Sequence, residues 1–231
     1  GIFKKYGFLA LPVVDMENRL TGIITVDDIM DVMEQEATED FQRMAAMSPS
    51  EETYLDSGVI TLAKQRIPWL LILMICGAFT GGIISKFENV LSAVVALTAF
   101  IPMLMDTGGN SGSQSSTLII RGLATGEIAL KDIWKVLWKE FRISLIAGTV
   151  LAAVNFAKNM LFDKVGVLVS LTVSCTLIVT VMVSKIIGGV LPLLAKKLKL
   201  DPAIMAGPLI TTIVDTITLI VYFTIASIAP F

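Results

Sequence analysis

The sequence predicts an all-α, polytopic membrane protein with five transmembrane helices, preceded by a partial α/β module. Three observations carry that fold class. Apolar residues make up 55% of the 231 residues, and several uninterrupted apolar runs reach the roughly 20 residues that a bilayer requires. The charge divides unevenly: residues 1–66 hold twelve acids against six Lys/Arg, whereas the remainder holds eight against twelve. Two segments with different solvents are implied. Finally, His is absent and both cysteines, Cys76 and Cys175, lie inside apolar runs. That argues against disulfide frameworks and soft-metal sites and leaves hard, oxygen-bound cations as the metal chemistry. Membrane lipid is an expected partner; nucleic acid and covalent chemistry on a substrate are not expected.

At the start, Lys4 and Lys5 are followed by a short strand-like run. There is no long apolar region with a cleavage site, so the start reads as the middle of a domain and not as a signal peptide. Phe8 to Val14 reads as a strand ending at Asp15, Glu17 and Asn18 make a turn, and Gly22 to Thr25 reads as a second strand. Thr25 then starts a helix, its hydroxyl capping the first turn while Asp28, three residues on, closes a capping box. Leu-Pro-Val-Val-Asp, a turn, and Gly-Ile-Ile-Thr-Val-Asp-Asp-Ile resemble the closing half of a CBS motif, a regulatory module normally present as a pair. In that family the residues at the positions of Thr25 and Asp28 contact a nucleotide ribose and phosphate, and a complete pair implies an adenine nucleotide as partner. Capping accounts for the same two residues, and both readings stand.

Asp27, Asp28, Asp31, Glu34, Glu36, Glu39 and Asp40 follow with no base among them. Like charges at helical spacing repel by a few tenths of a kcal/mol, roughly, per pair. A divalent cation would relieve this, and so would solvation of an acidic face. Phe41 to Lys64, broken near Pro49 and Gly58, reads as a connecting helix along the membrane surface.

Five spans are expected: Ile67 to Ser85, Val90 to about Ile119, Phe141 to Leu161, Val165 to Ala195 and Ala203 to Ala229. With the acidic module inside, ten Lys/Arg flanks, from Lys64 to Lys199, fall on the cytoplasmic side, against Lys86, Lys158 and Lys164 outside. This satisfies the positive-inside rule. Lys185 is expected to snorkel to the inner interface, with Gly188, Gly189 and Pro192 breaking or bending its helix.

Two spans carry unusual polarity. After Pro102 the second becomes Asp106-Thr-Gly-Gly-Asn-Ser-Gly-Ser-Gln-Ser-Ser-Thr117. Backbone loosened by Pro102 and the glycines would be tolerated at membrane depth only inside protein or beside a watery cavity, freeing carbonyls and the Asn110 and Gln114 oxygens for a hydrated cation. Close helix packing through small residues is the competing reading, and Asp106 could also pair with Arg121 or a backbone amide. In the last span Asp215 stands alone in an apolar run, at an insertion cost of about 2.5–3.5 kcal/mol. Gly207, Thr211 and Asp215 share one face at i, i+4, i+8. A helix-packing face with a protonated or paired Asp215 competes with a water-filled path.

The run from Pro102 to Thr117, followed by Arg121-Gly-Leu-Ala-Thr-Gly-Glu127, resembles the signature of the MgtE family of magnesium channels. The CBS tail, the acidic connector and Asp201-Pro-Ala before the last span extend the resemblance over essentially the whole chain. It implies residues 1–37 as the C-terminal part of a CBS domain, 38–66 as a connecting, plug-like helix, and 67–231 as a five-helix pore domain. It further implies a homodimer with one pore on the two-fold axis, surrounded by the second and fifth spans of both subunits. Asp215, Thr211 and Gly207, with Asp106, Gly109 and Asn110, would line the path. Asp28, Asp31, Glu36, Glu39 and Asp40, with Asp201, would bind regulatory Mg2+ and close it. Magnesium, which sheds water reluctantly, suits few carboxylates and many outer polar groups. The resemblance implies influx through the inner, plasma membrane with a cytoplasmic N-terminal module. A secondary transporter coupled to H+ or Na+ and a membrane-anchored cation sensor remain as alternatives at this point.

Overall fold

The computed structural model describes residues 2–50 and 52–230; Gly1, Glu51 and Phe231 lie outside the described residues. A short helix α1 (Ile2–Tyr6) precedes strands β1 (Ala10–Val14) and β2 (Leu20–Thr25), which pair antiparallel with Ala10 opposite Thr25. The turn between them is closed by Asp15, whose Oδ1 accepts from the Glu17 and Arg19 amides at 2.9 Å each. Thr25 caps α2 (Val26–Met44) through the expected box, with the Thr25 amide donating to Asp28 Oδ2 at 2.8 Å. The helix runs nineteen residues and carries no buried side chain. The connector expected from Phe41 to Lys64, broken near Pro49 and Gly58, carries helix to Met44 and again from Val59. Among the described residues of 45–58 there is no long helix, and Ala46 and Met47 turn back onto the Arg43 and Gln42 carbonyls just before Pro49. Helix restarts only at Val59, after the Gly58 cap.

Among the described residues four helical segments are long and apolar enough to cross a membrane: α3 (Val59–Lys86), α6 (Ile133–Lys158) with the turns that flank it, α7 (Val167–Lys197) and α8 (Gly207–Ile228). This establishes a multi-pass membrane protein. The expected second span is divided into α4 (Glu88–Ala93), a 3-10 turn Val95–Phe100, and α5 (Ile101–Ala124). Too polar to qualify by composition, α5 packs against α7 and α8 with twelve buried residues.

The backbone of α5 is not loosened. Pro102 stands in its first turn, where its missing N–H costs nothing, and the chain is helical through Gly108, Gly109 and Gly112 to Ala124. The carbonyls expected to be freed are therefore in the helix ladder, and the small residues serve close packing. Asp106 and Arg121, fifteen residues apart on this helix, are separated by about 22 Å of rise, which removes their pairing. Likewise α7 continues unbroken through Gly188, Gly189 and Pro192. Lys185 does not snorkel. It is 6% exposed, with Nζ 3.4 Å from Gln114 Oε1 on α5, because the wall of α7 that carries it faces the bundle.

At the end of the bundle away from α2, Leu97, Leu104, Val173, Leu177, Leu219 and Phe223 form the core, and the buried Tyr222 hydroxyl donates to the Leu97 carbonyl at 2.8 Å. Helix α3 is peripheral. Thr80 is its single buried residue among those described, and its hydroxyl meets that of Thr216 on α8 at 3.2 Å.

Helices α5 and α7 approach so closely that a Cβ on Gly188 would collide with the Gly112 carbonyl oxygen and stand 3.1 Å from Ser115 Cβ. Gly188→Ala is expected to destabilise the bundle by about 1–3 kcal/mol, read as a lower melting temperature in detergent. Gly82→Ala, whose Cβ would meet nothing within 4 Å, is expected to leave it unlowered. A Gly188→Ala protein that melts with the wild type would contradict this packing.

Candidate functional site

Asp215 lies mid-way along α8, half-buried, with Thr211 and Gly207 one and two turns before it. Facing them on α5 is Gly109. Its ideal Cβ would stand 3.1 Å from Thr211 Cγ2 and 3.6 Å from Asp215 Oδ1, so α5 brings backbone, not a side chain, against the carboxylate. Thr211 Oγ1 donates to the Pro208 carbonyl at 2.8 Å, which fixes its proton and leaves its oxygen free to accept.

On α5, Asp106 and Asn110 flank Gly109, and where Gly109 is buried they are exposed. With Gln114, also exposed, they form a polar stripe at i, i+4, i+8. Among the described residues neither Asp106 nor Asp215 has an ion-pair partner. The structure thus brings Asp215, Thr211 and Gly109 into contact, and places Asp106 and Asn110 beside them on an open face.

Gly207 answers a different demand. Its φ of +51° lies in the left-handed region, and a Cβ there would run into the carbonyl oxygen of Met44. Only glycine allows the last residue of α2 to sit against the first residue of α8. Next to this contact Arg43 pairs with Glu39, and its Nε lies 3.0 Å from Asp201 Oδ2. Asp201 Oδ1 accepts from the Ala203 amide at 2.8 Å, starting the turn Pro202–Met205 that leads into α8.

Asp40 is half-buried in the same place. Burial, and then the negative charges of Asp201, Glu36 and Glu39, push its carboxyl above the ordinary carboxylate range. Asp28 is not part of this cluster. It is spent on the cap at the other end of α2, and its hydrogen bonds with Thr25 hold its carboxyl below the ordinary range. Asp31 is exposed on a groove of about 920 Å3 between α2 and Pro49, Ser50, Glu52 and Thr53, whose wall also includes Glu36, Glu39 and Arg43. Among the described residues no three acidic, Cys or His side chains converge to hold a metal ion. Arg43 takes the place between Glu39 and Asp201 that a cation would take.

Sequence reasoning passed over Arg43, although it stands four residues after Glu39, the spacing of a helical ion pair. It also passed over Glu140, a 6% exposed acid whose Oε2 accepts from Ser115 Oγ at 2.6 Å. Lying between Lys139 and Arg142 at a span end, Glu140 gives no local signal of burial.

Residues 101–225 match the MgtE profile, described as a divalent cation transporter, and residues 1–35 match the CBS domain profile. The chain is 40% identical over 225 residues to a protein named Magnesium transporter MgtE from Thermus thermophilus, covering 97% of this chain and 50% of that protein. It is 39% identical over 226 residues to the protein of the same name from Bacillus subtilis, covering 98% and 49%, and 32% identical over 229 residues to that from Enterococcus faecalis, covering 97% and 49%. The chain spans about half the length of the curated relatives it matches. With a CBS fragment ahead of membrane-length helices, and the family profile covering α5 to α8, this chain belongs to the MgtE family of divalent cation transporters.

Proposed function

We propose that the chain forms the pore of a homodimeric, magnesium-gated Mg2+ channel that admits Mg2+ across the plasma membrane, with the N-terminal module in the cytoplasm. The observation that carries this reading is the exposed stripe Asp106, Asn110 and Gln114 on a helix packed among membrane-length helices. Polar and anionic groups facing lipid are untenable, whereas facing a second copy across a water-filled axis they become the lining of a path. On this reading α5 is the second of five spans, shielded from lipid by its neighbours, and two copies of Asp215, Thr211 and Gly109 surround the axis with two copies of the stripe. The name carried by the relatives supports Mg2+ as the ion. So does the donor set, since few carboxylates among neutral oxygens suit a cation that keeps its water.

Regulation is assigned to the seam between α2 and α8. Mg2+ drawn to Glu36, Glu39, Asp40 and Asp201 would displace Arg43 from the acids and hold the end of α2 against Gly207, closing the path. Without it, the acids around Asp40 repel and weaken that contact. The further acids Asp28 and Asp31 extend the attraction along α2. An adenine nucleotide at a complete CBS pair would act through the same helix.

In liposomes the chain is expected to pass Mg2+ down its gradient with no opposing H+ or Na+ gradient, and Asp215→Ala to lower that flux about tenfold or more, the equivalent of about 1.4 kcal/mol. Flux that requires a counter-gradient would replace the channel with a coupled transporter, and a wild type without flux would leave the sensor.

Asp40 supplies a pH test of the seam. Because its carboxyl titrates above 3.8 when packed, its contribution to docking of α2 is complete below 3.8 and is lost as pH rises through the raised value. In EDTA, hydrogen-exchange protection of the last turn of α2, corrected for intrinsic exchange, is expected to fall over that rise and to recover on adding Mg2+. Asp40→Asn should flatten the dependence, and one that survives the substitution would belong to another acid.

A further inference from the structure

The α5 stripe is backed by a buried polar layer that the site described above does not use. Lys185 on α7 and Glu140 on α6 are each 6% exposed. Lys185 Nζ lies 3.4 Å from Gln114 Oε1, and Glu140 Oε2 accepts from Ser115 Oγ at 2.6 Å. Gln114 and Ser115 are adjacent on α5. On α7, Gly189 stands one turn beyond Lys185 and lies open against Glu140, its ideal Cβ 3.4 Å from Glu140 Cγ. The two charged side chains therefore occupy one layer of the bundle without a direct ion pair, each attached to α5 through a neutral residue.

Resting on the reading of the α5 stripe as path lining, we propose that Gln114 is a specificity-determining residue of that path and that Lys185 positions it by capturing its carbonyl oxygen. A lysine head group carries donors and no acceptor, so the amide must turn its oxygen toward Nζ. With the oxygen turned inward to Nζ, the amide nitrogen and its two hydrogens are turned to the open face. Such a group cannot replace a water on a metal ion. Asp106 and Asn110 offer oxygens to the hydration shell farther along the stripe, but a cation passing Gln114 finds no ligand and keeps its water. Mg2+, which dehydrates reluctantly, loses little by this. Ca2+, which takes more direct oxygen ligands in flexible geometry, loses a foothold. Glu140 supplies the opposite charge that lets an amine be buried in this layer.

The test is the ratio of Ca2+ to Mg2+ flux in liposomes. Removing the buried pair together, Lys185→Met with Glu140→Gln, frees the amide to present its oxygen, and the ratio is expected to rise about fivefold, the scale of one net hydrogen bond. Lys185→Arg keeps the donors and is expected to keep the wild-type ratio. In a Gln114→Met background the paired substitution is expected to change nothing, because no oxygen is left to release; a merely structural role for Lys185 would move the ratio in both backgrounds. Should the paired variant not fold, Gln114→Asn, whose shorter side chain cannot reach Lys185, is expected to give the same rise. An unchanged ratio in the paired variant or in Gln114→Asn, or an equal rise with Gln114→Met present, would overturn the assignment. A wild type that carries neither ion overturns the conduction reading itself, a result the ratio does not mimic.

Discussion

A carboxylate at membrane depth needs either a partner or water, and that requirement organises this molecule. Among the described residues Asp215 and Asp106 lack an ion-pair partner. The bundle is shaped so that they need none of its own side chains. Small residues on α5 let that helix press against α7 and α8, with Gly109 against Thr211 and Asp215, while Asp106, Asn110 and Gln114 stay on the uncovered side. Close packing and an open polar face are thus two sides of one helix. Glycine and serine fill the first, and the amide and acid side chains occupy the second.

The same helix-end chemistry ties the acidic module to this path. Met44 ends α2 directly against Gly207, the first residue of the helix that carries Asp215. The lateral tether is electrostatic: Arg43 joins Glu39 on α2 to Asp201 ahead of α8. With Asp40 pushed up by burial and by the acids around it, this seam is balanced between one arginine and four carboxylates. A small change in the charge there acts on the start of α8 without any intervening loop.

Much of this was legible in the sequence, for reasons that are local. Hydropathy placed α3, α6, α7 and α8, because lipid-facing helices need length and apolar character and little else. The Thr25–Asp28 cap and the Gly207, Thr211, Asp215 face followed from spacing along one helix. What escaped were relations between helices. The glycines of α5 read equally as loosened backbone or as a packing face, and only α7 and α8, pressed against them, decide for packing. Lys185 read as an anchor because its distance along α7 suggested the interface; its burial depends on Gln114 and on the layer that Glu140 completes. The Arg43–Asp201 pair joins residues far apart in sequence, beyond the reach of any helical period. By contrast, the break in the connector was legible from Pro49 and Gly58, and the chain turns at Ala46, just before Pro49.

The central claim is that the polar face of α5 meets water inside the membrane, and it is tested most directly by accessibility. In a background with Cys76 and Cys175 replaced, Asn110→Cys and Ile146→Cys can be compared for reaction with a membrane-impermeant, water-soluble thiol reagent. Both positions are exposed on the isolated chain, but one lies on the α5 stripe and the other on the apolar outer face of α6. The account predicts labelling at position 110, slowed by Mg2+, and none at 146. Equal inertness at the two positions would mean that the stripe faces lipid or protein and that no aqueous path runs along it.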